Sequence, residues 1–454
     1  MKKNSRFIVG PLLFLAACST QKAINKQAHQ TILQDATISK AHIGISLYDV
    51  AENKYLYNHQ ADKYFVPASN TKIVTCFAAL KYLGDSLTGI RYYENDTAVF
   101  ILPAGDPTFL HPEFKKQPVV DFLQKSPKNL YITDADWKAR ALGSGWSWND
   151  YNENYMAERS ALPVFGNIIK WVQEAGEATQ NADPLFAPSP SIYSIPEVEW
   201  KVRFSGDTAN KSFYVERDQA DNVYHINQGV EKKKEQEVPF YTNGIQSAIE
   251  LLPDTLHKEV VAKNWRATRS LQPMLRSMQP SVIHSQPTDS MLRPMMHRSD
   301  NFYAEQTLLM VSNRKLGIMS DRQIIDTLLK TDLADLPQAP RWVDGSGLSR
   351  YNLFTPQDFV AILNKMRTQF GMDRIKGIFP TGGTGTLSAY YKKDSGYIYA
   401  KTGSLSGVLA LSGFLYTQKN KLLVFSVLVN NHNGSPANIR RSVEAFLTNI
   451  RNKY

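Results

Sequence analysis

Two alternating stretches near the N-terminus, AHIGISLYDV (41–50) and YLYNHQ (55–60), flank the polar turn AENK and predict a β-hairpin. VPASNTK (66–72) then leads into the apolar run IVTCFAALKYLG, which predicts a helix with Ser69 near its N-terminus. From about 92 to 275 the pattern changes to short alternating segments such as KVRFSG, KSFYVERD and NVYHINQG, broken by glycine and proline. That stretch reads as mostly β and loop, an independent insert of about 180 residues. Helical periodicity returns from RATRSLQPMLRSMQP onward, through SDNFYAEQTLLMVSNRKLG and SDRQIIDTLLKTDLADL. TPQDFVAILNKMRTQFG (355–371) is amphipathic, with Thr355 placed as an N-cap. Three apolar strands follow, GYIYAKTGSL, VLALSGFLYTQ and KLLVFSVLVNNH, and a last helix opens at the proline of PANIRRSVEAFLTNI. Strands near both chain ends with helices between them predict a mixed α/β (α+β) domain whose sheet is completed by the termini.

At 454 residues with a hydrophobic fraction of 43%, the chain can bury a large core, and two or more domains are expected. The formal charge is +10; with Lys2, Lys3 and Arg6 set aside, 49 basic residues face 42 acidic ones, a net +7. That excess favours an anionic surface or polymer. No dense basic tract with interleaved aromatics points to nucleic acid, and EKKKEQE (231–237) mixes both signs as a solvated face does. Two cysteines make no disulfide framework: Cys76 sits in an apolar run as a small buried thiol, and Cys18 closes MKKNSRFIVGPLLFLAAC. A basic start, a short apolar stretch and small residues describe an export signal, too short to span a bilayer. Leu15-Ala16-Ala17-Cys18 resembles a bacterial lipobox, which implies a lipid-bearing Cys18; a cleaved secretory signal with a chance cysteine is the alternative. STQKAINKQAHQTILQ (19–34) is then a tether or a loose first helix.

The chemistry lies in three short motifs. Ser69-x-x-Lys72 puts both side chains on one helix face, where a neutral lysine can take the serine proton. S-x-x-K alone arises by chance about twice in such a chain if serine and lysine each make up roughly 7% of residues, so it needs company. Ser299-Asp300-Asn301 offers a serine to relay a proton and an asparagine to bind an amide; Asp300 points away as a structural residue. Read alone, this motif is equally an N-cap. Lys401-Thr402-Gly403-Ser404 ends a strand, where Lys401 lowers the proton affinity of Lys72, Thr402 donates to an anionic terminus and Gly403 admits close backbone approach. DGSGLSR and TGGTGT fit no dinucleotide or Walker pattern and read as tight turns beside the site. The nine histidines form no H-E-x-x-H and no Cys/His cluster, so neither a metal nor any other cofactor is expected. His297 lacks the surroundings of a Ser-His-Asp site, since no G-x-S-x-G elbow is present.

S-x-x-K, S-D-N and K-T-G in this order form the set found in penicillin-recognising serine enzymes. The sequence resembles the D-alanyl-D-alanine carboxypeptidase/endopeptidase family of low-molecular-mass penicillin-binding proteins, in its long-insert branch. Further family-like pieces are GDPTF, GWSWNDY, SAL (160–162), DGSGLSRYN and GTGTLSAYY, so the likeness runs from about 40 to 450, with KTGS where KTGT is frequent. The resemblance implies a penicillin-binding, serine β-lactamase-like transpeptidase domain with a β-rich accessory insert. On this reading 1–18 is the signal, 19–35 a tether, 36–91 plus 276–454 the peptidase domain, and 92–275 the insert in two small subdomains.

The same resemblance implies the roles. Ser69 is the nucleophile, Lys72 its base, and the backbone N–H groups of Ser69 and Ser404 the oxyanion hole. Ser299 passes a proton to the leaving amine, Asn301 holds the acyl-side amide, and Lys401 with Thr402 holds the terminal carboxylate. Asp150 contacts the diamino acid of the stem peptide, and Arg350 is a weaker candidate for meeting a carboxylate. Peptidoglycan stem peptides are the expected substrates, β-lactams the covalent inhibitors, and the periplasmic side of a bacterial envelope, anchored by lipid at the outer membrane, the expected location. A serine β-lactamase and a non-catalytic wall-binding lipoprotein are the rival readings.

Overall fold

The computed structural model describes residues 22–36, 38–175, 190–205 and 211–454. The signal-like segment ending at Cys18 lies outside the described residues. The chain divides into two compact units, one built from residues up to Phe77 with Arg293–Ser299 and Leu328–Tyr454, the other from Ala78–Leu292 with Asp300–Thr327. The second therefore contains the whole of 92–275 and, with it, 78–91, 276–292 and 300–327.

In the first unit, strands near both ends of the chain form one sheet. Its order is Ile398–Leu405, Val408–Tyr416, Leu422–Asn430, His42–Asp49, Lys54–His59, antiparallel throughout. His42 pairs with Asn430 and Asp49 with Leu423, so the N-terminal hairpin docks on the penultimate element of the chain. Alternation sets the faces. Ile43, Ile45, Leu47, Phe425, Val427 and Val429 pack against Ile439, Val443, Phe446, Leu447 and Ile450 of the C-terminal helix Pro436–Lys453. Residues 22–28 and His29–Leu33 are helical and add Ile24, Ala28 and Ile32 to that core, where a tether or loose helix was expected. On the other face lies the helix Pro356–Phe370, started by a capping box in which Thr355 and Asp358 each accept the other's backbone N–H. Gly44 faces it: a Cβ there would stand 2.5 Å from the Phe65 ring and 2.8 Å from Pro356 Cγ.

One row of this face is polar. Asn58, Ser46, Ser426, Ser412 and Lys401 stand in register across all five strands. Ser46 Oγ donates to Asn58 Oδ1 at 2.8 Å, and the hydroxyls of Ser412 and Ser426 are hydrogen-bonded to each other at 2.8 Å, so buried hydroxyls lead across the sheet to the lysine.

In the second unit the main sheet runs Val260–Ala262, Asn129–Ile132, Ala98–Pro103, Ser86–Glu94, Ser281–Pro287, parallel among the first three strands and antiparallel thereafter. Two three-stranded sheets accompany it, Lys233–Pro239/Ile168–Glu174/Ser191–Ile195 and Val202–Phe204/Tyr224–Asn227/Tyr214–Arg217. The β-rich reading of 92–275 missed two helices, Pro118–Lys125 and Gln246–Leu256, each too short for its periodicity to outweigh the surrounding strands. The helix Asn301–Leu316 is buried at every position from Phe302 to Asn313. Its polar residues are matched inside: Arg159 meets Glu305 at 3.1 Å and Asp321 at 2.8 Å. No helix among the described residues is long and apolar enough to cross a membrane.

Gly44→Val places two branches into the Phe65 ring and Pro356, and is expected to destabilise the protein by about 1–3 kcal/mol in urea denaturation with the m-value unchanged.

Candidate active site

Ser69 lies in a single helical turn, Ala68–Asn70, that feeds the helix Thr71–Tyr82. Ala68 enters it at φ +48°, a left-handed conformation costly for a residue with a Cβ, and Ser299 sits at φ +64°. Strain of this kind persists only where surrounding structure enforces it. Here the enforcement is visible around Ser69. Asp344 accepts from Gly347 N at 2.9 Å, Ser349 N at 2.6 Å and Asn352 Nδ2 at 2.7 Å, which folds DGSGLSR into a tight turn. Gly347, at φ +84°, presses that turn on the Ser69 turn so closely that a Cβ would stand 1.8 Å from Ala68 O.

Lys72 is fully buried, and its ammonium nitrogen donates to Ser69 Oγ at 3.0 Å and to Ser346 O at 2.8 Å. Lys401, also fully buried, donates to Ser299 Oγ at 2.8 Å and to Thr402 O at 2.7 Å. Burial, with the charge of Lys72 adding to it, holds the Lys401 ammonium well below the usual lysine range. Two serine–lysine pairs from three separate chain segments thus lie in one unit.

The strand carrying Lys401 is held against the Ser69 turn. A Cβ on Gly403 would stand 2.7 Å from Pro67 O and 3.1 Å from Ser69 N, so only glycine allows this approach. Asn70 closes the joint: its amide nitrogen donates to Lys401 O at 2.8 Å, and its oxygen accepts from Ser412 Oγ at 2.7 Å. Thr402 is partly exposed and Ser404 exposed on the same strand. Arg350 donates to Ser406 O at 3.0 Å, just beyond that strand. Arg440, from the C-terminal helix, donates to Ser404 Oγ at 2.8 Å. Nothing in PANIRR marked Arg440; only the fold brings that helix to the strand end. Ser346, which lends Lys72 a carbonyl, and Asn70 were likewise invisible as partners.

In the second unit, Asn301 opens its helix, and Asp300 caps it by accepting from Tyr303 N at 2.9 Å. Asn301 Nδ2 donates to Tyr155 O at 2.9 Å. The Tyr155 hydroxyl is pushed up to about 12 by burial and by its hydrogen bond to Asp150. Tyr155 therefore connects Asp150 to Asn301, a link that the GWSWNDYNENY stretch did not announce.

The fold around Ser69 is that of the penicillin-binding protein and β-lactamase-like transpeptidase class, an α/β domain accompanied by a β-rich accessory region. The chain belongs to the D-Ala-D-Ala carboxypeptidase 3 (S13) family, whose model matches residues 25–450. It is 22% identical over 429 residues to the D-alanyl-D-alanine carboxypeptidase DacB of Haemophilus influenzae, covering 86% of each chain. Over 443 residues it is 24% identical to a D-alanyl-D-alanine carboxypeptidase of Actinomadura sp. strain R39, covering 89% of this chain and 80% of that one. The crystal structure of penicillin binding protein 4 from Haemophilus influenzae superposes with a TM-score of 0.68 at 18% identity, over 94% of this chain and 98% of that one.

Lys401 sheds its proton at lower pH when folded than when unfolded, so the unfolded chain binds more protons between its folded titration and the ordinary value of 10.5. Stability from this group therefore rises with pH across that window, by at most about 1.4 kcal/mol per pH unit. Lys401→Gln is expected to lose that rise, read as urea midpoints of both proteins across the window.

Proposed function

We propose that the protein is a serine-type D-alanyl-D-alanine carboxypeptidase, D,D-endopeptidase or both, acting on peptidoglycan stem peptides and crosslinks through an acyl-enzyme on Ser69. The observation that carries this reading is the pair of buried lysines, each hydrogen-bonded to a serine, in one unit. A lysine is a base only when neutral, and burial beside a second ammonium favours that form. Ser69 Oγ gives its proton to Lys72 Nζ and attacks the carbonyl carbon of the penultimate D-alanine. The backbone N–H groups of Ser69 and Ser404 receive the developing oxyanion. Collapse breaks the C–N bond, and the departing amine takes a proton through Ser299, which Lys401 and Lys72 supply. Water then attacks the ester, giving its proton back along the same route and freeing Ser69.

Lys401 and Thr402 are assigned the substrate's terminal carboxylate, with Arg350 and Arg440 adding positive charge near the strand end. Asn301 is assigned the acyl-side amide and Asp150 the amino group of the diamino acid, roles that the family resemblance implies. No step calls for a metal or a cofactor. A β-lactam enters as a substrate mimic whose leaving group stays tethered, so acylation outlasts turnover. We place the enzyme on the periplasmic side of a bacterial envelope, anchored at the outer membrane through lipid on Cys18, with 36–91 plus 276–454 as the peptidase domain, 92–275 as the insert and 19–35 as the segment that leads into it.

D-Alanine release from a pentapeptide and separation of a crosslinked dimer, assayed side by side, test the reading. Ser69→Ala is expected to lose both by about three orders of magnitude or more; retention of the original rate would sink the nucleophile assignment. Penicillin is expected to label the wild type near-stoichiometrically, whereas rapid multiple turnover would make it a β-lactamase. Asp150→Asn is expected to lower kcat/KM about tenfold or more for peptides with a free diamino-acid amine while penicillin acylation persists.

A further inference from the structure

The second unit holds a cavity of about 60 Å³ away from every residue assigned above, between the strand Ser86–Glu94 and the C-terminal end of the helix Asn301–Leu316. Its apolar wall includes Leu83 and Met310, and its polar wall is Thr88, Arg91, Asn313 and Arg314. Two guanidinium groups, an amide and a hydroxyl therefore face one space, and no carboxylate among the described residues lines it.

The charge around it does not balance. Arg91 meets Asp136 at 3.3 Å, but Asp136 also takes both ends of Arg266, at 2.5 and 3.3 Å. One carboxylate thus serves two guanidinium groups, and Arg314 adds a third positive charge that acts on Arg91. Donors are also left over. Asn313 is 95% buried, since its relative exposure is 5%, and its Nδ2 has no hydrogen-bond partner among the described residues; the buried Nε of Arg91 has none among them either. A buried donor left unmet costs about 1–3 kcal/mol, so such groups normally have a partner. Water would satisfy the hydrogen bonds but leave the charge uncompensated.

We propose that this cavity is a binding site for a small oxyanion, a carboxylate or a phosphate group. Both oxyanions accept from the forked guanidinium donors of Arg91 and Arg314 while taking the amide of Asn313 and the hydroxyl of Thr88. The space suits them: a single water needs roughly 10–15 Å³ by the same measure, so a group of four or five heavy atoms fits. An occupant would tie the far end of the helix that Asn301 opens to the main sheet of its unit.

The test is calorimetric titration of the full-length protein with inorganic phosphate and, separately, acetate, at constant ionic strength made up with chloride. The wild type is expected to bind at least one of them saturably at one site per chain, and Arg314→Gln, a change at an exposed side chain, to weaken that binding tenfold or more. Asn313→Asp, which sets a carboxylate in the wall, is expected to weaken it further. Thermal melting gives a second reading, with a rise in Tm on adding the anion in the wild type that Arg314→Gln loses. Tenfold preference for phosphate would assign a phosphate-bearing ligand, and the reverse a carboxylate-bearing one. No saturable binding of either anion to the wild type, or equal binding by Arg314→Gln, would overturn the proposal.

Discussion

Taking an ammonium group out of water costs several kcal/mol even after relaxation, and the first unit does so twice, with Lys72 and Lys401 both fully buried. Burial, with the charge of Lys72 adding to it, makes the neutral form of Lys401 easier to reach. Their hydrogen bonds go mostly to neutral oxygens: Ser69 Oγ and Ser346 O for one, Ser299 Oγ and Thr402 O for the other. Carboxylate partners would have fixed both as cations. Hydroxyl and carbonyl partners leave protons free to move, and the remainder of the unit serves to hold this arrangement in place.

Several devices do the holding. The tight turn organised by Asp344 presses on the Ser69 turn, and Thr75 Oγ1 adds a bond to Gly345 O at 2.6 Å. Gly385, at φ +49°, packs beside His297 O, where a Cβ would stand 2.6 Å away, and so braces the chain two residues before Ser299. The row of serines across the sheet supplies Asn70 with a partner in Ser412, and Asn70 in turn holds the carbonyl of Lys401. Glycine and serine dominate these contacts because the backbone approaches leave no room for anything larger.

Much of this was legible in the letters. The hairpin, the helix after Ser69, the capping of 355–371 and the three closing strands have strong periodicity and clear punctuation, and the three motifs have fixed internal spacing. Register was not legible. Ser46, Ser412 and Ser426 each interrupt an apolar strand, yet only pairing shows that they form one row ending at Lys401. The same holds for Arg440 beside Ser404 and for Tyr155 between Asp150 and Asn301, contacts 36 and 146 residues apart along the chain. Asp300 shows the opposite case, since capping is a local effect and its place between two polar neighbours was enough to suggest it.

The pairing of His42–Asp49 with Leu422–Asn430 also bears on the order of assembly. A chain emerging from the ribosome presents the first of these strands some 380 residues before its neighbour exists. Until then the Ser69 turn has no completed sheet to lean on, and Lys401 has not been made. The stretch Ala78–Leu292, by contrast, contains all five strands of its own main sheet and can begin to condense early. The buried contact of Lys401 with Ser299, and the strand that carries it, are in this way completed long after the Ser69 turn has been made, so a chain cut short before Ile398 carries Ser69 and Lys72 without the second lysine.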